Sequence, residues 1–251
     1  MAVNILDRYG IKEVADVTFY ELKEDGSRGA PVLYLDTLKV STTEQTAENT
    51  SARGGKGNPE LIMWDYGKEI TVNLEDALFS AKSMAIMYGA NPADEVDFHE
   101  QATITKTVHV ASIVEGKVST QAGMITIPAD AHYYDANGND LGTTKSDEAV
   151  YCTFELTVEG QEIVISAEKF PGSYYVTGDT YARSENSGKD EFFQFIIPKA
   201  KVLSEVTLTM EAEGDPSTFS MNLKVLRPKD GQMMKLVKYS LPEDEASGEN
   251  V

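Results

Sequence analysis

Apolar and polar residues alternate from residue 206 to residue 225, and this pattern limits the fold more than any other stretch. Val206, Leu208 and Met210 are interleaved with Thr207, Thr209 and Glu211; after Gly214, Asp215, Pro216 and Ser217 the series resumes with Phe219, Met221, Leu223 and Val225 against Ser220, Asn222 and Lys224. Successive side chains of an extended chain point to opposite faces, so strict alternation predicts half-buried strand rather than helix. Gly214 accepts a positive φ, and Pro216 fixes its own φ and keeps Asp215 out of the helical region, so the chain is expected to reverse there. Residues 191–226 are therefore predicted to contain an antiparallel hairpin with one wet face. The stretch has no nucleophile beside a base and no group of metal ligands, which makes it scaffold or contact surface.

The two-residue period recurs along most of the chain. Val17 and Phe19 alternate with Thr18 and Tyr20, Leu33 and Leu35 with Tyr34 and Asp36, and Glu24, Asp25, Gly26, Ser27, Arg28 and Gly29 supply a turn between them. Strands are also predicted at residues 60–66, which carry Trp64, and at 69–72, 103–112 and 124–127. Residues 132–134 read as a strand entering an Asn-Gly turn at residues 135–140. Two more hairpins are expected, one joining residues 151–158 to 161–167 across Glu159 and Gly160, the other joining 174–176 to 180–181 across Gly178 and Asp179. Residues 184–189 read as a turn.

Two segments depart from this period. Residues 41–59 are polar, Thr-rich and then Gly-rich, with no apolar face, and are expected to form a long loop with a functional role or none of its own structure. Residues 74–88 predict the single helix. Asn73 is placed as its N-cap, Asp76 as the residue reaching back, and Gly89 as its stop. Leu74, Ala77, Leu78, Ala81, Met84, Ala85 and Tyr88 share one face, and this stripe is expected to pack across a sheet.

Motifs that would signal chemistry fail on spacing. Arg53, Gly54, Gly55, Lys56 and Gly57 suggest a phosphate loop, but Gly57, Asn58 and Pro59 stand where Ser or Thr and a helix are required. A calcium loop starting at Asp135 would need Gly sixth and Glu twelfth, where the chain has Asp140 and Ser146. His99, His109 and His132 have no Cys or Glu at zinc spacing, and no Gly-x-Ser-x-Gly elbow occurs. The expectation is a protein that is not an enzyme and uses no cofactor and no metal.

Net charge is −19, against the cationic surface a general nucleic-acid binder needs to displace counterions from phosphates. Cys152 is the single cysteine, so no intramolecular disulfide is expected, in keeping with a reducing compartment. The N-terminus predicts no signal peptide and no run is apolar enough to span a bilayer, so no membrane partner is expected. Residues 1–241 are read as one β domain, with about 112–190 an elaboration of its sheets or a small insertion. Residues 242–251 are read as a disordered acidic tail.

Three stretches carry a family resemblance. They are Ile70 through Ser80, Phe170 through Tyr181, and Phe195 through Val202 continuing to Gly214–Phe219. Together with the order of strands, polar loop, helix and terminal hairpin, they resemble the tail tube proteins of long-tailed bacteriophages. The resemblance implies a mainly β fold, an antiparallel β-sandwich with one flanking α-helix and a long polar loop. It implies subunits that form rings, usually sixfold, which stack into a tube and meet other virion tail proteins. It implies assembly in the host cytoplasm and residence in the virion tail, with DNA passing through without specific binding. On this reading Thr43, Glu44, Glu48, Arg53 and Lys56 lie on a loop that contacts the neighbouring subunit. Glu205 and Glu211 become acidic candidates for a lumen wall, and Leu74, Leu78, Ala81, Met84 and Ala85 the helix-packing face. A second class stays open: a β-sandwich surface-binding or virion decoration module that contacts carbohydrate or a host surface through Tyr133, Tyr134, Tyr174 and Tyr175.

The failed metal spacings lead to a direct expectation. Excess chelator leaves the melting temperature of the purified protein unchanged in a thermal scan; a fall would reveal a structural ion.

Overall fold

The computed structural model describes residues 8–91, 98–121, 123–206 and 218–239. The chain divides into two compact units, one made of Met1–Pro92 with Ile165–Val251 and the other of Ala93–Val164. The inserted unit thus starts and ends earlier than the 112–190 expected from sequence, because residues 173–184 belong to the main sheet.

The larger unit opens with strands β1 (Tyr9–Ile11), β2 (Asp16–Leu22), β3 (Arg28–Leu35), β4 (Leu38–Arg53) and β5 (Glu60–Asp76), then helix α1 (Ala81–Tyr88). The inserted unit holds β6 (Phe98–His109), β7 (Ile113–Val114), β8 (Lys117–Thr120), β9 (Gly123–Thr126), β10 (His132–Tyr134) and β11 (Tyr151–Ile163). The chain then returns to the larger unit with β12 (Ser173–Ser184), β13 (Asp190–Val202), β14 (Phe219–Val225) and β15 (Lys235–Tyr239). Among the described residues the main sheet is antiparallel in the order β3-β2-β12-β13-β14-β5-β4, with β1 paired to β12 and β15 to β13. The inserted unit has two three-stranded antiparallel sheets around Val110, Val118, Cys152 and Phe154. This is the mainly β, antiparallel architecture that the alternation predicts, and it is consistent with the β-sandwich that the resemblance implies.

Alternation also decides the core. Val17 and Phe19 of β2, Leu33 and Leu35 of β3, Ile70, Val72 and Leu74 of β5, and Met221, Leu223 and Val225 of β14 all turn to one buried cluster. Phe19, Leu74, Ile197 and Leu223 are among its largest fully buried side chains, each contributing about 1.5–3 kcal/mol of transfer free energy. The turn expected at residues 24–29 joins β2 to β3. The turn at 184–189 joins β12 to β13, and the Arg183–Asp190 ion pair across it holds the Asp190 carboxyl below its ordinary pKa. The first arm of the hairpin read at 206–225 lies largely outside the described residues. Its second arm is β14, which pairs with β5 and with the end of β13.

Three sequence expectations are corrected. Residues 41–53 are not a loop: they continue β4 to Arg53, paired with β5 along its length, and only the stretch from Gly54 to Pro59 forms the connecting turn. The helix does not begin at Asn73, because Ile70, Val72 and Leu74 keep the two-residue period and β5 is paired on both sides there. Asp76 closes that strand, its buried carboxylate accepting from Thr37 Oγ1 and from the Leu78 amide. Ser80 is the true N-cap: its hydroxyl accepts from the Ser83 amide at 3.0 Å while Ser83 Oγ accepts from the Ser80 amide at 2.9 Å. Gly89 stops the helix at φ 82°, and a Cβ there would lie 2.5 Å from the Phe170 carbonyl carbon.

The two short hairpins are the third correction. Each of β11 and β12 is one continuous strand. The Glu159–Gly160 pair sits at a register shift against β6, not at a reversal. Gly178 lies mid-strand, where a Cβ would come within 2.1 Å of the Phe195 ring. The glycine is there so that an aromatic ring can lie flat on the neighbouring backbone.

That contact generates a test. Gly178→Ala is expected to destabilise the fold by about 1–3 kcal/mol through overpacking. Adding Phe195→Ala should then cost less than the two single changes summed, because the clash is removed. Urea denaturation of the four proteins measures the coupling; strict additivity would show that the ring and the glycine do not interact.

Candidate functional site

The outer halves of β4 and β5 form a two-stranded arm. The ladder runs from Leu38 opposite Asp76 to Arg53 opposite Glu60, but β14 pairs with β5 only from Thr71 to Asp76. Beyond Ile70 each strand has the other as its only partner among the described residues, and the side chains from Glu44 to Thr50 and from Glu60 to Glu69 are exposed on both faces. Residues 45–53 in extended form reach about 30 Å.

The register sorts the arm into two faces. Tyr66 opposes Glu48, Trp64 opposes Thr50 and Ile62 opposes Ala52, so these pairs share one face. Asp65 with Asn49 and Met63 with Ser51 take the other, together with Leu61. Leu61, Ile62, Met63, Trp64 and Tyr66 are each more than half exposed. Glu48, Thr50, Ser51 and Ala52 on β4 stand across from Tyr66, Trp64, Met63 and Ile62 and leave their apolar surface exposed. Ile62, Trp64 and Tyr66 line up on one face, and a grouped apolar stripe of this kind is a candidate interaction surface, whereas scattered exposed hydrophobes are not.

The five loop candidates read from sequence all fall on this hairpin. Thr43 and Glu44 pair with Val72 and Thr71 at its base, Glu48 pairs with Tyr66 midway, and Arg53 lies 3.5 Å from Glu60 beside the tip turn, which carries exposed Lys56. The Arg53–Glu60 pair is solvent-exposed and worth little by itself. Sequence reasoning missed the stripe on the facing strand. Its signal was present: Leu61 through Trp64 is an apolar run with no alternation, next to a partner strand too polar to bury it.

The remaining candidates are dispersed. Glu205 is exposed after β13, and Glu211 lies outside the described residues. Leu74 is buried, but from strand β5; Leu78 precedes the helix and is 64% exposed, so it is not a packing residue. Ala81 and Met84 are half-buried and Ala85 is buried, while Ile86 and Met87 carry the contact with the core that the predicted stripe assigned to others. The tyrosines of the proposed platform are divided between the two units. Tyr133 packs on the core of the inserted unit, and Tyr174 belongs to the larger unit, its ring edge-on to Phe19 at 5.9 Å. Among the described residues no three His, Cys, Asp or Glu side chains converge to hold a metal ion, and no helix is long and apolar enough to cross a membrane.

Antiparallel sheets, one short capped helix and a two-stranded arm with exposed apolar side chains define a mainly β protein of the sandwich class. Comparison with known proteins places it more closely. The chain belongs to the YomU/Tube protein family, which it matches over residues 9–238. It is also similar to the tail tube protein of Bacillus phage SPR, at 21% identity over 248 residues, covering 90% of this chain and 87% of that one. The resemblance to phage tail tube proteins drawn from three sequence stretches is upheld by both matches, and the family match includes the inserted unit.

Because the arm lies outside the core, its loss should spare the fold. Replacing residues 47–68 by Asn-Gly is expected to leave a soluble subunit whose unfolding free energy changes by no more than about 0.5 kcal/mol. Chemical denaturation with near-ultraviolet circular dichroism measures this; unfolding of the shortened chain would show that the arm supports the sandwich.

Proposed function

We propose that this chain is the repeating subunit of a phage tail tube, assembling with itself into stacked rings around a channel through which DNA is ejected. The observation that carries the reading is the arm: about 30 Å of paired strand with apolar side chains that no described part of the same subunit covers. The outer edge of β4 supports it. From Ser41 to Ala52 that edge strand contains no Pro, Lys or Arg; Glu44, Glu48 and one bulge between Thr46 and Glu48 are all that blunt it against pairing with another chain. Strand β3, at the other end of the sheet order, has Pro31. A closed ring gives open edges and apolar stripes a partner in every subunit.

The charge suits a conduit. A duplex and a wall of carboxylates repel over about 10 Å at 0.1 M salt, which keeps DNA centred and free to slide. Glu205 and Glu211 are proposed to face the channel, and other virion tail proteins would meet the ends of the tube.

Electron microscopy of the purified protein is expected to show rings or tubes. Those tubes should retain no labelled duplex at physiological salt. Tubes carrying Glu205→Lys and Glu211→Lys should retain duplex at low salt and release it as salt rises, since the new contacts are with phosphates. Discrete monomers at all concentrations, or tight duplex binding by the unaltered tubes, would contradict the proposal.

A further inference from the structure

The larger unit has a second uncovered apolar feature, at the foot of the arm. Between β1, β4, β5, β13 and β15 lies an open groove of ≈ 430 Å³ whose lining includes Ile11, Ile70, Phe193, Phe195, Met234 and Leu236 together with the polar Glu13, Ser41, Thr43, Gln45 and Thr180. Ile11 is 58% exposed and Leu236 64% exposed. The volume falls in the range of sites that take a large apolar group, and its lining is mostly apolar with some polar groups.

We infer that this groove receives the Ile62–Trp64–Tyr66 face of the arm from a second copy of the chain. This rests on the tail-tube reading and names the surface that would receive the arm. Complementarity is the first argument: one chain carries both an aromatic stripe without cover and an open apolar cleft, and Trp and Tyr seated in desolvated pockets are the usual anchors of protein interfaces. Geometry is the second. Ile70 lines the groove, and Trp64 lies six residues further out on the same strand, about 20 Å away when extended. A ribbon paired along that length does not fold back on its own foot, so the occupant comes from another copy. Arm into groove is a head-to-tail contact: it joins two different surfaces and leaves each copy with one free donor and one free acceptor. Such contacts propagate until a ring closes or a stack forms.

Trp64 is the only tryptophan, so its fluorescence reports this contact directly. Assembly of the parent protein is expected to move its emission to shorter wavelength. The Ile11→Glu/Leu236→Glu variant changes two exposed positions; it should melt as the parent does, show no assembly, and keep its emission unshifted. In a Trp64→Cys/Leu236→Cys variant, oxidation should link different chains only in the assembled state, and a Met63→Cys/Leu236→Cys control on the opposite face should link several-fold less. Buried Cys152 should leave the parent unlinked. If the parent assembles and the glutamate variant assembles equally well, with no disulfide joining positions 64 and 236 in the Trp64→Cys/Leu236→Cys protein, the groove is not the receiver and the tube reading survives. If the parent does not assemble and Trp64 stays exposed, both fall.

Discussion

The structure depends on one strand performing two tasks. The inner half of β5 is hydrogen-bonded to β14 on one side and β4 on the other, and it sends Ile70, Val72 and Leu74 into the core. The outer half of the same strand has, among the described residues, only β4 beside it. A two-stranded ribbon alone is marginal in water. Here its direction and register are inherited from a segment that cannot slip, because a one-residue shift would turn those three core side chains to solvent. The arm thus continues the sheet across one irregularity between Thr46 and Glu48, and a partner binding a paired ribbon faces a smaller ordering cost than it would with an unpaired loop.

What was legible in the sequence was whatever depended on neighbours in the chain. Val17 and Phe19, Leu33 and Leu35, and the Phe219–Val225 series gave their buried faces by period alone. The turns at residues 24–29 and 184–189 gave themselves by composition. What was not legible depended on partners far away. Residues 41–53 carry no apolar face and 44–50 are exposed on both sides, so no period marks them as strand; β5 imposes that state. Asn73 and Asp76 match a helix start locally, but strand pairing of Leu74 wins, and the cap passes to Ser80 and Ser83. Gly178 has the chemistry of a turn and serves instead as the seat of the Phe195 ring. Of the site, the polar residues of β4 were singled out, though as a loop, and residues 60–66 were read as a strand without their exposed stripe, because a run such as Leu61–Trp64 reads as core until the polar strand opposite it is known.

Magnitudes decide which force can hold copies together. Each carries a formal charge of −19, so copies repel at long range, over roughly a Debye length of 8–10 Å at physiological salt. Exposed ion pairs such as Arg53–Glu60 add little against that repulsion. Burying apolar surface yields about 25 cal/mol per Å², acts only in contact and does not weaken with salt. The uncovered rings of the arm are the features suited to this task. Like charge would then restrain unspecific clustering while a fitted apolar contact still forms.

Hydrogen exchange across residues 45–66, compared between dispersed subunits and assembled particles, tests the central claim most directly. The arm amides that point away from the β4–β5 ladder are expected to exchange quickly in dispersed subunits, where the outer edges are open, and to become strongly protected on assembly, while the inner halves of β4 and β5 are protected in both states. Equal exchange of the arm in the two states would contradict the account, because the arm would then be no part of what joins the copies.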